Sequence, residues 1–351
     1  KSRMGRKTDI VVTTIFEPHW LEGYLSNLRR AGQQKDVTLR IICDRKTPAS
    51  VYAAAQQAQR RGFDIDCPTL DEQQTYLRKI GLPDDFVPWN TDNRRNIGFL
   101  RAWESGAEVL ISIDDDNYCR ADSDFVGCHH VVGRTVTDAS ATSVAAGAPW
   151  YNICELLQMQ TGAPVYARGY PYAARAPQSR ATPTTNLAGM SDRLVAINAG
   201  LWLDDPDVDA LTRLALGPRA AAAQPGAVLL APETWSPINT QNTGLMRAAM
   251  PAYYYVRMGF PLQGLRIDRF GDILSGYFVQ KCAKHLGHLV RLGDPVAGGT
   301  VHGRFPSLVL GGPDDGDANH NGRHVPSISC DQVRTRPGLR SSISRSSNSF
   351  S

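Results

Sequence analysis

Ile111-Ser112-Ile113 runs directly into Asp114-Asp115-Asp116. β-Branched residues favour a buried strand, whereas three adjacent carboxylates resist burial. Such a junction is tolerable where the end of a strand opens into a crevice, and open α/β sheets take their ligands there. Carboxylate oxygens on a rigid strand end suit a hard divalent cation, and such a cation usually also holds phosphates. The competing reading is a plain acidic turn, leading into a helix capped near Asp122 or Ser123.

The flanking sequence supplies elements that could position this run. Asp9–Ile15 and Leu39–Cys43 read as buried strands, the second ending at Asp44. Helical stretches fit about 20–30, 49–61 and 93–104, the last leading into a strand at 109–113. Strands alternating with helices predict an α/β fold with a mostly parallel central sheet flanked by helices. The polar strand ends Thr13–Thr14, Asp44 and Asp114–Asp116 then share one sheet edge, where a ligand is expected. Further on, 176–190 and 217–232 read as loops from their Pro, Gly, Ser, Thr and Ala content, with a strand at Leu194–Ile197 between them. Ile273, Leu274, Tyr277, Phe278, Cys282 and Leu286 have the spacing of an amphipathic helix.

Composition narrows the class. The 351 residues are 42% apolar and 21% charged, with a net charge of +4. That bias is too small to indicate nucleic acid and is compatible with anionic small ligands. No signal peptide or long apolar run is present, and the seven cysteines form no C-x-x-C pair, so neither a zinc site nor a disulfide framework is indicated. The expectation is a cytoplasmic protein, off the membrane, with reduced thiols. Asp317-x-Asn319-x-Asn321-Gly322 imitates a calcium loop but has Ile328 at the closing position. From 311 to 351 the composition predicts a disordered tail. The remainder, 1–310, reads as one domain.

Several segments, in order, resemble the reversibly glycosylated polypeptide family, which includes the UDP-arabinopyranose mutases. They are the strands at Asp9–Ile15 and Ile41–Asp44, Arg95-Asn96-Ile97-Gly98-Phe99, Ile113-Asp114-Asp115-Asp116, and Arg168-Gly169-Tyr170-Pro171-Tyr172-Ala173-Ala174-Arg175. Gly200-Leu201-Trp202-Leu203 with Pro206-Asp207 and Asp209, then Arg269-Phe270-Gly271-Asp272, His285-Leu286-Gly287 and His302 complete the set. The resemblance spans roughly residues 9–304. Gly271 stands where the family usually has an acid, and the loops at 176–190 and 217–232 differ from the family's.

The resemblance implies a GT-A (Rossmann-like) nucleotide-diphosphosugar transferase fold, one catalytic domain at 1–310 with a nucleotide half at 9–120 and a sugar and metal half at 121–310. It also implies an enzyme that interconverts pyranose and furanose rings of a sugar still carried on its nucleotide, with Mn2+ or Mg2+ and without flavin. A flavin or dinucleotide fingerprint G-x-G-x-x-G is absent after the first strand. Asp116 is then the leading metal ligand, and Asp114 a second or a contact to ribose, with Asp115 beside them at the nucleotide and Thr14, Asp44 and Arg95 lining the nucleotide pocket by position. His302 resembles the late histidine that completes many such sites, against the reading of a solvent-facing loop residue.

Arg175 matches the arginine that becomes glycosylated in the family. A guanidinium is a poor nucleophile, so a clamp on the diphosphate is an equally sound role. Arg168 frames the same loop. Asp272 reads either as a carboxylate near the sugar hydroxyls or as a first-turn helix residue favoured by the macrodipole. Trp202 and Asn242 are sugar-contact candidates, although a Trp in an apolar run is more often core. Asp204, Asp205, Asp207 and Asp209 imitate a metal cluster but read more simply as a turn and helix start. His129 and His130 receive no role. The substrate is a UDP- or GDP-linked sugar of arabinose or fucose type, and homo-oligomers are open. The rivals are a transferase with a separate acceptor and a non-catalytic or self-glycosylated nucleotide-sugar-binding subunit.

Overall fold

Strands Thr8–Thr14 (β1), Val37–Cys43 (β2) and Val109–Asp114 (β4) bury nearly every residue. Apolar runs of this kind belong to strands covered on both faces. The computed structural model describes residues 5–136, 142–185, 189–190, 192–258, 261–262, 265–266 and 270–299. Between these strands lie helices Leu21–Arg30 (α1), Ala49–Arg60 (α2), Leu70–Lys79 (α3) and Arg95–Glu104 (α4), and the short strand Asp64–Asp66 (β3). Helix α1 turns Leu21, Tyr24, Leu25 and Leu28 inward on one stripe. Helix α3 begins on a reciprocal capping box between Thr69 and Glu72.

These four strands pair in parallel, in the order β3, β2, β1, β4. Their register sets Thr14 beside Cys43 and Thr13 beside Asp114. The expected shared edge of Thr13–Thr14, Asp44 and Asp114 is therefore present. Helix α4 reaches the sheet through Gly98, where a Cβ would run into Val11 and Ile42. Only a glycine permits that close approach.

The chain then adds Asn117–Tyr118 (β5), Phe125–His129 (α5), Thr142–Ala146 (β6), Leu157–Met159 (β7), Thr182–Thr184 (β8), Val195–Leu203 (β9), Ala210–Leu216 (α6), Ala220–Ala223 (β10) and Ala227–Leu230 (β11). Asn242–Met246 (β12), Pro261–Leu262 (β13), Leu265–Arg266 (β14), Gly271–His285 (α7) and Leu289–Gly299 (β15) complete it. The sheet continues from β4 through β12, β9, β15, β11 and β6 to β8, with strands running in both directions. The two halves expected at 9–120 and 121–310 thus share one sheet where β12 pairs antiparallel with β4. No helix among the described residues is long and apolar enough to cross a membrane.

Three expectations change. Residues 217–232 are not a loop: β10 pairs with β7, and β11 is an inner strand between β15 and β6. Alanine is a weak strand former, and the neighbouring strands override it here. Part of 176–190 forms the edge strand β8. The helix after the acidic run is capped by Asp124, whose carboxylate accepts from the Gly127 N–H at 2.9 Å, rather than by Asp122 or Ser123. Residues 311–351, the segment Asp317–Gly322 and His302 lie outside the described residues.

Gly98→Val should cost about 1–3 kcal/mol by overpacking the α4–sheet contact. Gly23→Ala, with nothing nearer than 3.9 Å around an added Cβ, should gain about 0.5–1 kcal/mol. Thermal unfolding of the two variants should move in opposite directions.

Candidate functional site

Arg95, the first residue of α4, is buried at the edge where β1 and β4 end. Its Nη2 lies 2.6 Å from Asp114 Oδ1 and 3.0 Å from Thr13 Oγ1. Its Nη1 donates to Ser112 Oγ at 3.1 Å and to the Thr240 carbonyl at 3.0 Å. Burial opposes the charge on this guanidinium, but Asp114, Tyr255 and Asp92 together raise its pKa. One side chain thus ties β1, β4 and the approach to β12 together and fixes the Asp114 carboxylate.

Asp116 has no such partner. Burial and the charges of Asp114 and Asp115 push its carboxyl up to about 8. Its Oδ1 is buried without a hydrogen bond. Among the described residues, no three His, Cys, Asp or Glu side chains are grouped to hold a metal ion.

On the other side of β1, Thr47 Oγ1 donates to the Thr14 carbonyl at 2.6 Å and accepts from the Asp44 N–H at 2.7 Å. Asp44 is buried, with Oδ1 accepting from the Arg45 N–H at 2.7 Å. Trp89 carries the Arg94 guanidinium 3.7 Å from its ring centroid and the Arg45 guanidinium at 4.7 Å. Burial lowers the Arg94 pKa to about 10, with Asp44 pulling the other way. The sequence reading missed Arg94 and Trp89. The Arg94-Arg95 pair was the available signal, because a buried arginine implies a neighbouring acid or ring.

Arg168 sits between two acids. Its Nε and Nη2 meet Asp207 Oδ1 and Oδ2 at 2.8 and 2.9 Å, and its Nη1 meets Asp272 Oδ1 at 3.0 Å, with a further Nη2 bond to Asp272 Oδ2. Asn239 Nδ2 also donates to Asp207, at 2.7 Å. Asn239 precedes Thr240, which receives Arg95, so this cluster is one residue from the first. Burial pushes the Asp272 carboxyl above the usual range against the pull of Arg168, and the charges of Asp207 and Asp114 add to the rise. Asp272 is in the first turn of α7, so its position on the helix and its polar role hold together.

Arg175 is held separately. Its Nη2 lies 2.8 Å from Asp209 Oδ2, and its guanidinium lies 3.9 Å from the Tyr172 ring centroid and 4.8 Å from that of Tyr166. Tyr166 Oη donates to the Arg175 carbonyl at 3.0 Å. Asp209 caps α6 by accepting from the Thr212 N–H at 3.0 Å and from the Thr212 hydroxyl at 2.7 Å. Burial works against the Asp209 charge, but these Thr212 bonds, with Arg175, lower its pKa. Reading 204–209 as a turn and helix start found the cap and missed that Asp207 and Asp209 each anchor an arginine.

Two sugar-contact candidates are spent inside the protein. Trp202 is 4% exposed on β9 and packs in the core, so it offers no open ring face. Asn242 is 2% exposed. Its Nδ2 donates to the carbonyls of Leu201 and Pro295, both at 2.9 Å, and its Oδ1 faces His129 Nε2 at 2.9 Å. His129 Nδ1 lies 3.1 Å from Asn198 Nδ2, so the donors and acceptors match when the neutral ring carries its proton on Nε2.

No protein-family model matches the chain. Over 132 residues it is 31% identical to a probable UDP-arabinopyranose mutase 1 of Pisum sativum and to UDP-arabinopyranose mutase 1 of Arabidopsis thaliana. That stretch is 37% of this chain and 31% and 32% of those proteins, so the chain matches about a third of the length of these relatives. Among solved structures it aligns with glucosyl-3-phosphoglycerate synthase from Mycobacterium tuberculosis in complex with Mn2+, UDP-glucose and phosphoglyceric acid. The identity is 10% and the TM-score 0.36, over 85% of this chain and 73% of that one.

Burial holds the His129 pKa down to about 3, so the folded protein keeps it neutral while the unfolded chain protonates it near 6.5. This contribution to stability is full above about pH 6.5 and is lost as pH falls toward 3. Denaturant titrations should show that decline, and His129→Gln should flatten it. Asn242→Leu strands buried partners on three sides and should cost about 1–3 kcal/mol per unpaired group.

Proposed function

We propose that this protein is a divalent-metal-dependent, flavin-independent nucleotide-sugar mutase of GT-A type. It interconverts the pyranose and furanose forms of a UDP- or GDP-linked sugar. The observation that carries this reading is the meeting of Thr14 and Asp44 with Asp114–Asp116 along one sheet edge. The 132-residue likeness to proteins named UDP-arabinopyranose mutase supports it. A cytosolic setting belongs to the same reading.

The residues present fit a divalent cation. Asp116 Oδ1 is buried without a partner, and Asp114 keeps a second oxygen beyond the one Arg95 engages. One or two carboxylates, completed by substrate phosphates and water, are enough for Mg2+ or Mn2+. A cation bound there supplies electrostatic stabilisation to the diphosphate as the anomeric C–O bond breaks. His302 is the candidate for a further ligand.

The chain's own groups do the rest. Thr14 and Asp44 receive the nucleoside, Arg95 fixes Asp114, and Arg175 acts as a cation toward the diphosphate. A guanidinium stays protonated across the working pH range, and its pairing with Asp209 favours the clamp over the nucleophile. Ring exchange needs a proton removed from the hydroxyl that closes and one returned to the oxygen that opens. Asp272 carries that proton, its basicity raised by burial and its orientation set by Arg168.

Purified protein with Mn2+ and a panel of UDP- and GDP-sugars, without acceptor, should convert one of them to a product of unchanged mass. Asp116→Ala and Arg175→Ala should each lower the rate at least a hundredfold, and Arg175→Lys should recover part of it if the residue is a clamp. Free nucleoside diphosphate in place of the isomer would indicate transfer to a separate acceptor instead. Binding without turnover across the panel would indicate a non-catalytic subunit.

A further inference from the structure

Cys43 ends β2, one residue before Asp44, and Cys67 follows the last residue of β3. Their sulfurs lie 3.7 Å apart. Cys43 is buried, whereas Cys67 is partly exposed. The backbone around Cys43 is well tied: it pairs with Thr14 of β1, and its carbonyl accepts from Gln73 Nε2 at 3.0 Å. The Cys43 thiol also lies beside the Thr47 and Tyr52 side chains. The Thr47 hydroxyl is the one joining the Thr14 carbonyl to the Asp44 N–H.

We propose that Cys43 and Cys67 form a reversible disulfide whose formation weakens nucleoside diphosphate binding at the adjacent sheet edge. The binding half of this inference rests on the function proposed above; the chemistry of the pair does not. A disulfide needs the sulfurs at about 2.05 Å, so they must close by roughly 1.7 Å through side-chain rotation. With the Cys43 backbone held by β1 and Gln73, its sulfur swings toward Cys67 and leaves Thr47. Thr47, whose hydroxyl laces Thr14 to Asp44, then loses a packing neighbour, and the lacing weakens.

The oxidant is a peroxide. One sulfur of the pair, as its thiolate, attacks one peroxide oxygen; the O–O bond breaks, and water or an alcohol leaves with a sulfenic acid formed on that cysteine. The other sulfur displaces the sulfenic oxygen as water, the two thiol protons leaving in the products. The two sulfurs give up two electrons, and the peroxide takes them. A reducing compartment keeps the pair as thiols, so the oxidised form belongs to oxidative stress.

The test treats the full-length protein with a small excess of hydrogen peroxide, blocks remaining thiols and maps peptides by mass spectrometry. The expected result is a Cys43–Cys67 cross-linked peptide that dithiothreitol removes and that Cys67→Ser abolishes. Calorimetric titration with UDP and GDP, with Mn2+ present, should show at least a fivefold weaker Kd after oxidation. The Kd should return on reduction and stay unchanged by peroxide in Cys67→Ser. If peroxide gives sulfinic or sulfonic acids or other cross-links while Cys43 and Cys67 fail to join, the pair is not a redox couple. A joined pair with unchanged affinity overturns the coupling to the site. Reduced protein that binds neither nucleotide counts against the proposed function alone, and the peptide map still decides whether the pair oxidises.

Discussion

The buried pairing of Arg95 with Asp114 is the constraint around which the candidate site is organised. A buried arginine is costly unless it is paired, and here the two terminal nitrogens of the guanidinium meet Thr13, Ser112, Asp114 and the Thr240 carbonyl, while Nε has no hydrogen bond. Those groups belong to β1, β4 and the segment leading into β12. The same contacts that satisfy the charge therefore fix where the parallel half of the sheet ends and where the mixed half begins. Removing the guanidinium would strand Asp114 at the strand end, beside two further carboxylates. The geometry of the acidic turn is thus a consequence of α4 delivering its first residue to the edge, which the glycine contact at Gly98 makes possible.

The first half of the fold was legible because its signals are local. Apolar β-branched runs and amphipathic helices each announce themselves within about ten residues, and alternation then implies a parallel sheet and a shared polar edge. Beyond Asp116 the decisive contacts are long-range. The all-alanine β10 and the short apolar β11 sit in a Gly-, Pro- and Ala-rich stretch typical of loops, and they are strands because β7, β15 and β6 supply partners. Arg168 and Arg175 were legible as candidates, yet their anchors were not. Nothing in Pro206-Asp207-Val208-Asp209 separates a helix start from a pair of arginine ligands, and in the structure Asp209 serves as both. Asn242 and Trp202 failed for the opposite reason: residue types suited to sugars are equally suited to closing a buried network or filling a core.

The two arginines are presented differently, and the difference has chemical meaning. Arg168 is gripped along two edges by Asp207 and Asp272, so its fork is spent on the protein and it orients the Asp272 carboxylate. Arg175 has one carboxylate contact, with aromatic faces beside the planar group. Rings leave the hydrogen-bonding edge of a guanidinium unused, so the stacked residue is the one able to turn its N–H groups to a diphosphate. Asp209 is itself fixed by the start of α6, so the helix cap and the orientation of Arg175 are one arrangement.

Charge balance gives the last step. Asp114, Asp115, Asp116, Asp207 and Asp272 interact across the joined clusters, and Arg95 and Arg168 are the guanidiniums set against them. Among the described residues, the five carboxylates of these clusters outnumber the two guanidiniums paired with them, at an edge proposed to receive an anion. The guanidiniums do not offset them, as the rise of Asp116 to about 8 and the raised Asp272 record. A diphosphate entering there would add to the repulsion, so anion binding and the arrival of positive charge must be coupled. Protons could supply that charge only by occupying the oxygens that would otherwise serve as ligands. A divalent cation supplies it while leaving those oxygens engaged, and for that reason cation and nucleotide should bind as a pair, each weakly without the other.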